Sequence, residues 1–391
     1  MTVTTEAREL TAFAPGRTEI AGNHTDHEGG HVIAAAIDAG ITARAIPRDD
    51  DVVRVVSEGF DTVEIDLAKP GALDARLDER VTTISLVRGM LAELRAAGVD
   101  VHGFDANLTS TLPAGGGLSS SASFELVIGV IVRDMFASGD GVEDSPELGA
   151  TALARMAQRT ECGYFSKPCG LMDQLAVAHG GILAMDLSDA DAPRIASIDF
   201  DFEAAGLRVC LVDVGCDHSR FTDAYAAVPR EMQAVAHLFG ARQLCEVSEA
   251  DVLAHVVDVR RVLGDRALLR ALHFYREERL TQARSRALIA GDVGRFLRAT
   301  HESGSSSAEW LQNVYAPGVD EPAMVAIALA QRVLGGHGAV RIHGGGFGGS
   351  VQAFVPTDLL DDFVRLMEGW LGKGCCHVLT VGGRGAESEW N

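Results

Sequence analysis

The stretch "LPAGGGLSSSAS", residues 112–123, constrains this chain more than any other. Three consecutive glycines run into three consecutive serines, and from Leu118 the apolar positions Ala122, Leu126 and Val130 recur at helical spacing. A segment of this kind is a loop that opens a helix. Gly115, Gly116 and Gly117 let the backbone turn left-handed and approach a ligand closely, and the unpaired amides at the helix start favour an anion. Phosphate is the expected guest, with hydroxyls of Ser119, Ser120 and Ser121 as further donors and one candidate oxygen ligand for Mg²⁺. A flexible loop ended by a serine N-cap is the competing reading. The segment is neither a Walker A loop, since no GK[ST] follows, nor GxGxxG.

Composition narrows the partners. Of 391 residues, 55 are acidic and 34 basic, a formal net charge of −21, which repels nucleic acid and anionic lipid over most of the surface. A small molecule is the expected partner, and an anionic one needs a local device such as the glycine loop. The seven cysteines show no CxxC pair or regular spacing, as expected of reduced thiols in the cytoplasm. The N-terminus has no basic and apolar leader pattern, and no run reaches a membrane span. Nothing in the chain sets an oligomeric state.

Strand alternation in "ELTAFAP", "HVIAAAI" and "VVRVVSEG" opens the chain, and helices are expected from Leu118 and over Ser145 to about Arg159. The runs "GGILAMDL" and "GLRVCLVDVG" return to strand, and residues 220 to about 315 read as helical. Then "AVRIHGGGFGGSVQAFVP" reads as strand, glycine loop, strand, followed by a helix over "TDLLDDFVRLMEGWLG" and a last strand, "CHVLTV". The pattern predicts an α+β protein in two halves, 1–205 and 206–391, with a site in the cleft between them.

Two further segments carry chemistry. Five glycines among the six residues 344–349 exceed what a tight turn needs, so close approach to a ligand or to the first loop is the more economical reading. "TECGYFSKPCGLMDQLAVAHGG" sets Glu161 and Asp173 twelve positions apart, with Gly170 between them. One carboxylate suits a metal and the other a substrate proton, against the alternative of two surface acids. Asp173 lies in an apolar context, where a carboxylate needs a partner.

Together these segments and "PGRTEIAGNHTDHEGG", residues 15–30, resemble the galactokinase branch of the GHMP small-molecule kinases in motif, order and spacing, from about Phe13 to Pro356. The resemblance implies a GHMP kinase fold, with an N-terminal domain like ribosomal protein S5 domain 2 and a ferredoxin-like C-terminal domain. The implied reaction is transfer of the ATP γ-phosphoryl group to the anomeric hydroxyl of galactose. It makes Asp173 the catalytic aspartate and Arg17 the arginine facing it, and it gives Ser121 and Glu161 to Mg²⁺. Asn23, His24, Asp26, Gly170 and Tyr225 fall to the sugar, and Gly115 to Ser121, including Leu118, to the triphosphate.

The chain departs from that family at named positions. Asn23 stands where most galactokinases have glutamate, read there as a partner of the sugar's C6 hydroxyl, and Glu19 stands where they have asparagine. An uncharged Asn23 would tolerate a C6 carboxylate or a sugar without C6, so galacturonate and other C1 sugar kinases are the alternatives. His27 replaces a tyrosine, "RVTTISLVRG" lacks the aromatic residue that often lines the adenine pocket, and His343 precedes the third glycine cluster. A non-catalytic sugar and ATP sensor is disfavoured by the complete "GLSSSAS". A hydrolase metal site at His24, Asp26 and His27 lacks comparable ligand spacing.

Overall fold

A computed structural model describes residues 8–113, 117–137, 141–189, 191–215, 221–315, 318 and 320–391. Its first layer is built on a long antiparallel pair, β1 (Leu10–Ala21) and β2 (His31–Pro47). Their register runs from Leu10 opposite Ala45 to Pro15 opposite Gly40, then shifts between Pro15 and Arg17 and again between Glu19 and Ala21. Such irregularities re-aim side chains, and here they fall on the two charged residues of the strand. From Ala14 to Ala21 every residue of β1 is buried, because both faces of this stretch are covered.

Around that pair stand β3 (Val52–Ser57), β4 (Val63–Asp66), β5 (Phe104–Ser110), β6 (Ile182–Asp186), β7 (Arg194–Ser197) and β12 (Glu387–Trp390). The order is β12-β1-β2-β5-β3-β4, with β6 on β2 and β7 on β6; β3 and β5 are parallel and the other pairs antiparallel. Helices α1 (Thr83–Ala96), α2 (Ser120–Phe136), α3 (Ala150–Thr160) and α4 (Met172–His179) share one apolar core with this sheet. Residues Ala122 to Arg133 of α2 are buried without a break, so this is an interior helix.

The second sheet, order β11-β8-β10-β9, comprises β8 (Leu207–Asp213), β9 (Ala339–Ile342), β10 (Ser350–Pro356) and β11 (Cys376–Leu379). It packs on α10 (Pro322–Leu334) and α11 (Leu360–Leu371) through residues such as Val212, Ala330, Val351 and Phe363. Helices α5 (Thr222–Leu238), α6 (Glu249–Ala254), α7 (Val256–Leu263), α8 (Asp265–Ile289) and α9 (Val293–Ser306) complete the chain. The expected division at 205 lies between β7 and β8, where the strands pass from one sheet to the other. The chain then crosses back, since β12 pairs with β1.

Sequence and structure differ at α3, which begins at Ala150 rather than Ser145. Leu148 N bonds Ser145 Oγ and Gly149 N bonds the Ser145 carbonyl, so these residues form a turn. Among the described residues no helix is long and apolar enough to cross a membrane.

Candidate active site

Arg17 and Asp173 meet at the point where β1 passes the start of α4. The guanidinium Nε and Nη2 donate to the two carboxylate oxygens, each at 2.7 Å, and Nη1 donates to the Gly117 carbonyl at 2.7 Å. A bidentate pair of this kind fixes both partners in one plane. Ser119 Oγ donates to Asp173 Oδ2. Burial alone would raise the Asp173 pKa, but Arg17's charge and hydrogen bonds, then Ser119 and Lys167, hold it below the ordinary carboxylate value. Asp173 is therefore ionised at neutral pH.

Beside the pair, the Leu118 carbonyl accepts the Arg17 backbone N–H at 3.1 Å, while the Leu118 side chain is buried in the core with Ile37. Leu118 thus anchors the loop. Gly117 is exposed with φ +64°, Ser119 has φ +59°, and α2 starts at Ser120, which is exposed. The N-terminus of a long buried helix consequently faces the Arg17–Asp173 pair, a natural place for phosphate oxygens. Gly115 and Gly116 lie outside the described residues.

Behind the loop, Ser121 Oγ and Lys167 Nζ each donate to Glu161 Oε1 at 2.8 Å, and Gln174 Nε2 donates to Oε2 at 2.7 Å. Glu161 is placed by a π-helical turn, Glu161–Phe165, that ends α3; such turns often mark functional positions. Close by, both carboxyl oxygens of Glu125 are buried without a hydrogen-bond partner, and burial together with the Glu161 charge pushes its pKa well above the ordinary value. The Glu161 carboxylate and the Ser121 hydroxyl offer a hard divalent cation oxygen donors, so the residues present fit Mg²⁺. No group of three or more His, Cys, Asp and Glu able to hold a metal ion occurs among the described residues, and Mg²⁺ commonly completes its shell with water and phosphate.

The segment 22–28 separates into scaffold and contact residues. Asn23, fully buried, uses all its amide capacity inside the protein. Nδ2 donates to the Gly344 carbonyl at 2.6 Å and to Glu19 Oε1 at 3.3 Å, while Oδ1 accepts from Asn313 Nδ2 at 2.9 Å and Ser307 Oγ at 3.1 Å. The resemblance gives Asn23 to the sugar; here its amide is engaged within the protein. Its exchange with Glu19 has a structural cause: the buried Arg341 Nη1 donates to Glu19 Oε1 at 2.8 Å and needs the acid there.

His24 is likewise engaged within the protein. Nε2 donates to the Gly345 carbonyl at 3.0 Å, so in the neutral ring Nδ1 accepts, and its neighbour at 3.1 Å is His27 Nε2. Burial, then the neighbouring His27, lowers the His24 pKa to about 3, keeping it neutral. Both nitrogens are spent within the protein, and the His27 ring turns its Nδ1 to Glu28 Oε1 at 3.3 Å. These contacts order the loop.

Asp26, Gly170 and Tyr225 do share a space with Asp173. A Cβ on Gly170 would lie 1.7 Å from Asp26 Oδ2, so only glycine admits that carboxylate. Burial, as the main cause, raises the Asp26 pKa. Tyr225, on α5, lies against Gly345, where an added Cβ would come within 2.4 Å of its ring, and it stands 5.4 Å from the His24 ring. Burial, then Asp26 and Asp173, push its phenol pKa upward, keeping the hydroxyl a donor. The glycine cluster 344–349 therefore serves as the floor under Tyr225 and His24.

Sequence reasoning missed the groups that hold this loop. Glu277 of α8 accepts the Gly22 and Asn23 amides at 3.2 and 3.3 Å, and His273 Nε2 lies 3.0 Å from the Asn23 carbonyl. No local sequence pattern marks them.

The Arg17–Asp173 pair at the start of a buried helix, with Asp26, Gly170 and Tyr225 beside it, is an arrangement suited to a small-molecule kinase. The family model for the GHMP kinases N terminal domain matches residues 85–181, and the galactokinase galactose-binding signature matches residues 3–47. The galactokinase of Streptomyces coelicolor is 32% identical over 91% of this chain and 87% of its own, and that of Bacillus subtilis 28% over 90% and 86%. The crystal structure of Lactococcus lactis galactokinase complexed with galactose superposes with a TM-score of 0.81 at 24% identity, covering 98% of this chain and 95% of that one. An L. major mevalonate kinase in complex with R-mevalonate gives 0.64 at 16%, covering 96% of each chain. The chain belongs to the galactokinase family of GHMP kinases.

Proposed function

We propose that this chain phosphorylates the anomeric hydroxyl of galactose with ATP, giving galactose 1-phosphate, through the residues of the Arg17–Asp173 site. The bidentate Arg17–Asp173 pair beside the helix-start loop carries this reading. Phosphoryl transfer is mostly positioning and charge stabilisation. Asp173, ionised, orients the sugar's O1–H and takes its proton as the O–P bond forms. Arg17 then faces the charge that develops on the transferring group. Asp26 accepts from sugar hydroxyls and Tyr225 donates to one.

Ser121 and Glu161 would hold Mg²⁺, which supplies charge neutralisation on the phosphates when bound. Lys167, already on Glu161, adds positive charge to the same corner. The amides of the glycine loop and of Ser119 to Ser121 are the expected triphosphate contacts.

A panel of galactose, galacturonate, arabinose, N-acetylgalactosamine and glucose, each with ATP and Mg²⁺ in a coupled ADP-release assay, tests the proposal. Turnover is expected with galactose. Selective turnover of galacturonate would replace the substrate, and no turnover with any sugar would overturn the reading.

A further inference from the structure

Cys162 and Cys169 bracket the turn that follows Glu161, and the kinase chemistry uses neither thiol. Their sulfurs lie 3.8 Å apart. Cys162 is exposed and Cys169 half-buried, so a small reagent in solution reaches the pair. Cys375 and Cys376 also approach, at 3.9 Å, but Cys375 is buried. No spacing rule singles out Cys162 and Cys169 in the sequence; the fold of the turn brings them together.

That turn is tightly closed. Glu161–Phe165 is the π-helical end of α3, Ser166 follows with φ +68°, and the Lys167 backbone N–H donates to the Glu161 carbonyl at 3.0 Å. Glu161 and Cys162 are consecutive in it, so a shift of one carries the other. Cys169 is held on its own side, because its carbonyl accepts from Gln158 Nε2 at 3.3 Å and the next residue, Gly170, packs against the Asp26 carboxylate. An S–S bond is about 2.05 Å long, so the sulfurs must close by roughly 1.8 Å to form one. With Cys169 anchored, Cys162 supplies most of that movement. Glu161 meanwhile accepts from Ser121 at 2.8 Å and from Gln174 at 2.7 Å, bonds that weaken when their geometry shifts.

We propose that the Cys162–Cys169 pair is a site of oxidation by hydroperoxides, and that the disulfide formed there weakens the hold of the Glu161 corner on Mg²⁺. Hydrogen peroxide oxidises the exposed Cys162 thiol to a sulfenic acid; the O–O bond breaks and one water leaves. The Cys169 sulfur then attacks the Cys162 sulfur, the S–O bond breaks, and the hydroxyl departs with the Cys169 proton as a second water. Two thiols and one peroxide thus give one disulfide and two waters, and dithiothreitol reverses the bond by exchange. The effect on Mg²⁺ rests on the kinase reading above, whereas the disulfide itself does not.

The test uses full-length protein treated with hydrogen peroxide, with remaining thiols alkylated before tryptic digestion and mass measurement. Cys162 and Cys169 fall in one peptide, 160–194, because trypsin spares Lys167 before Pro168. That peptide should escape alkylation and be lighter by two hydrogens, and dithiothreitol should restore both thiols. In parallel, calorimetry gives the affinity for a non-hydrolysable ATP analogue with Mg²⁺ and with a chelator. Oxidation should lower the ratio of the two about tenfold, the scale for disturbing groups that orient a metal ligand. Peroxide-treated Cys162→Ser, which loses only an exposed thiol, should keep the ratio of the reduced protein. Two alkylated thiols in peptide 160–194, or a two-hydrogen loss confined to the peptide with Cys375 and Cys376, overturns the site. A disulfide that leaves the ratio unchanged overturns its effect on the metal. Reduced protein in which Mg²⁺ does not strengthen binding of the analogue overturns the metal reading of Glu161, an outcome the mass measurement keeps separate from the disulfide.

Discussion

Arg17 commits three donors at once, two to Asp173 and one to the Gly117 carbonyl, so the arginine joins the proton acceptor to the phosphate loop. Asp173→Asn is nearly isosteric and keeps an oxygen for Arg17, but it removes the charge that accepts the O1 proton. We expect kcat to fall by about 10²–10⁴, with calorimetric binding of galactose and ATP retained; near-normal kcat would remove Asp173 from its role. Because Arg17 holds the Asp173 pKa below the ordinary value, kcat/KM should show no acid limb from this group above about pH 4, and a bell centred near 6 would contradict it. Asn23 gives an opposite lesson. Placing the family's usual glutamate there sets a carboxylate against the Gly344 carbonyl and Glu19. Asn23→Glu should therefore lose about 3 kcal/mol of stability in denaturant titration, the cost scale of an uncompensated buried charge. A stable variant with altered sugar preference would show that position 23 faces the substrate after all.

Among elements, the loops that meet at the site share a strained backbone. His24, Ser119, Ser166 and Phe347 all have φ between +54° and +68° without being glycine, a conformation that persists only when its surroundings impose it. For residues 22–24 the enforcing element is α8. Glu277 takes the Gly22 and Asn23 amides, Ser303 Oγ at 2.9 Å and the Arg284 guanidinium on one oxygen, all in full burial. Burial alone would raise this acid, but Arg284, His273 and Arg341 hold its pKa at about 2. Its folded value lies below the unfolded one near 4.3, so its contribution is present above pH 4.3 and is lost as pH falls through 2. Glu277→Gln should cost about 3 kcal/mol at pH 7. The gap to wild type, followed by urea denaturation, should stay flat from pH 8 to 5 and close below 4.3. A gap that instead widened on acidification would refute the linkage. This anchoring was illegible in the sequence because Glu277 is some 250 positions from Asn23. The glycine loop, Arg17 and Asp173 were legible because each sits in a contiguous motif. For Asn23 and His24, motif spacing places the residue on a loop but does not give the bonds its polar atoms make within the protein.

At the scale of the molecule, the alternation and helical runs led to a reading in two halves, and the returning strand was not legible. β12 is four residues long and polar, "ESEW", too short for a period to register. It nevertheless closes the edge of the first sheet, pairing Leu10 with Trp390 through Phe13 with Glu387. Just upstream, Gly382 N bonds the Ala36 carbonyl and Ala386 N bonds the Val177 carbonyl at 2.9 Å, tying the tail to β2 and α4. The strand it completes is the one that carries Arg17, and its other end runs under the second layer, so the two halves are bound through β1. Deleting residues 387–391 removes four ladder positions and bares an edge, at roughly 0.5–1.5 kcal/mol per lost hydrogen bond. We expect Tm to drop by about 5 °C and aggregation on heating to increase. The loss should appear as a lower kcat together with a raised KM for ATP, since Ser388 of β12 donates to Asp134 of α2 and β1 holds the Leu118 carbonyl of the glycine loop. Scanning calorimetry with a parallel assay checks this. An unaltered Tm would mean that β12 is an ornament on the sheet, and a split into two transitions would mean that this short strand is what makes the halves unfold together.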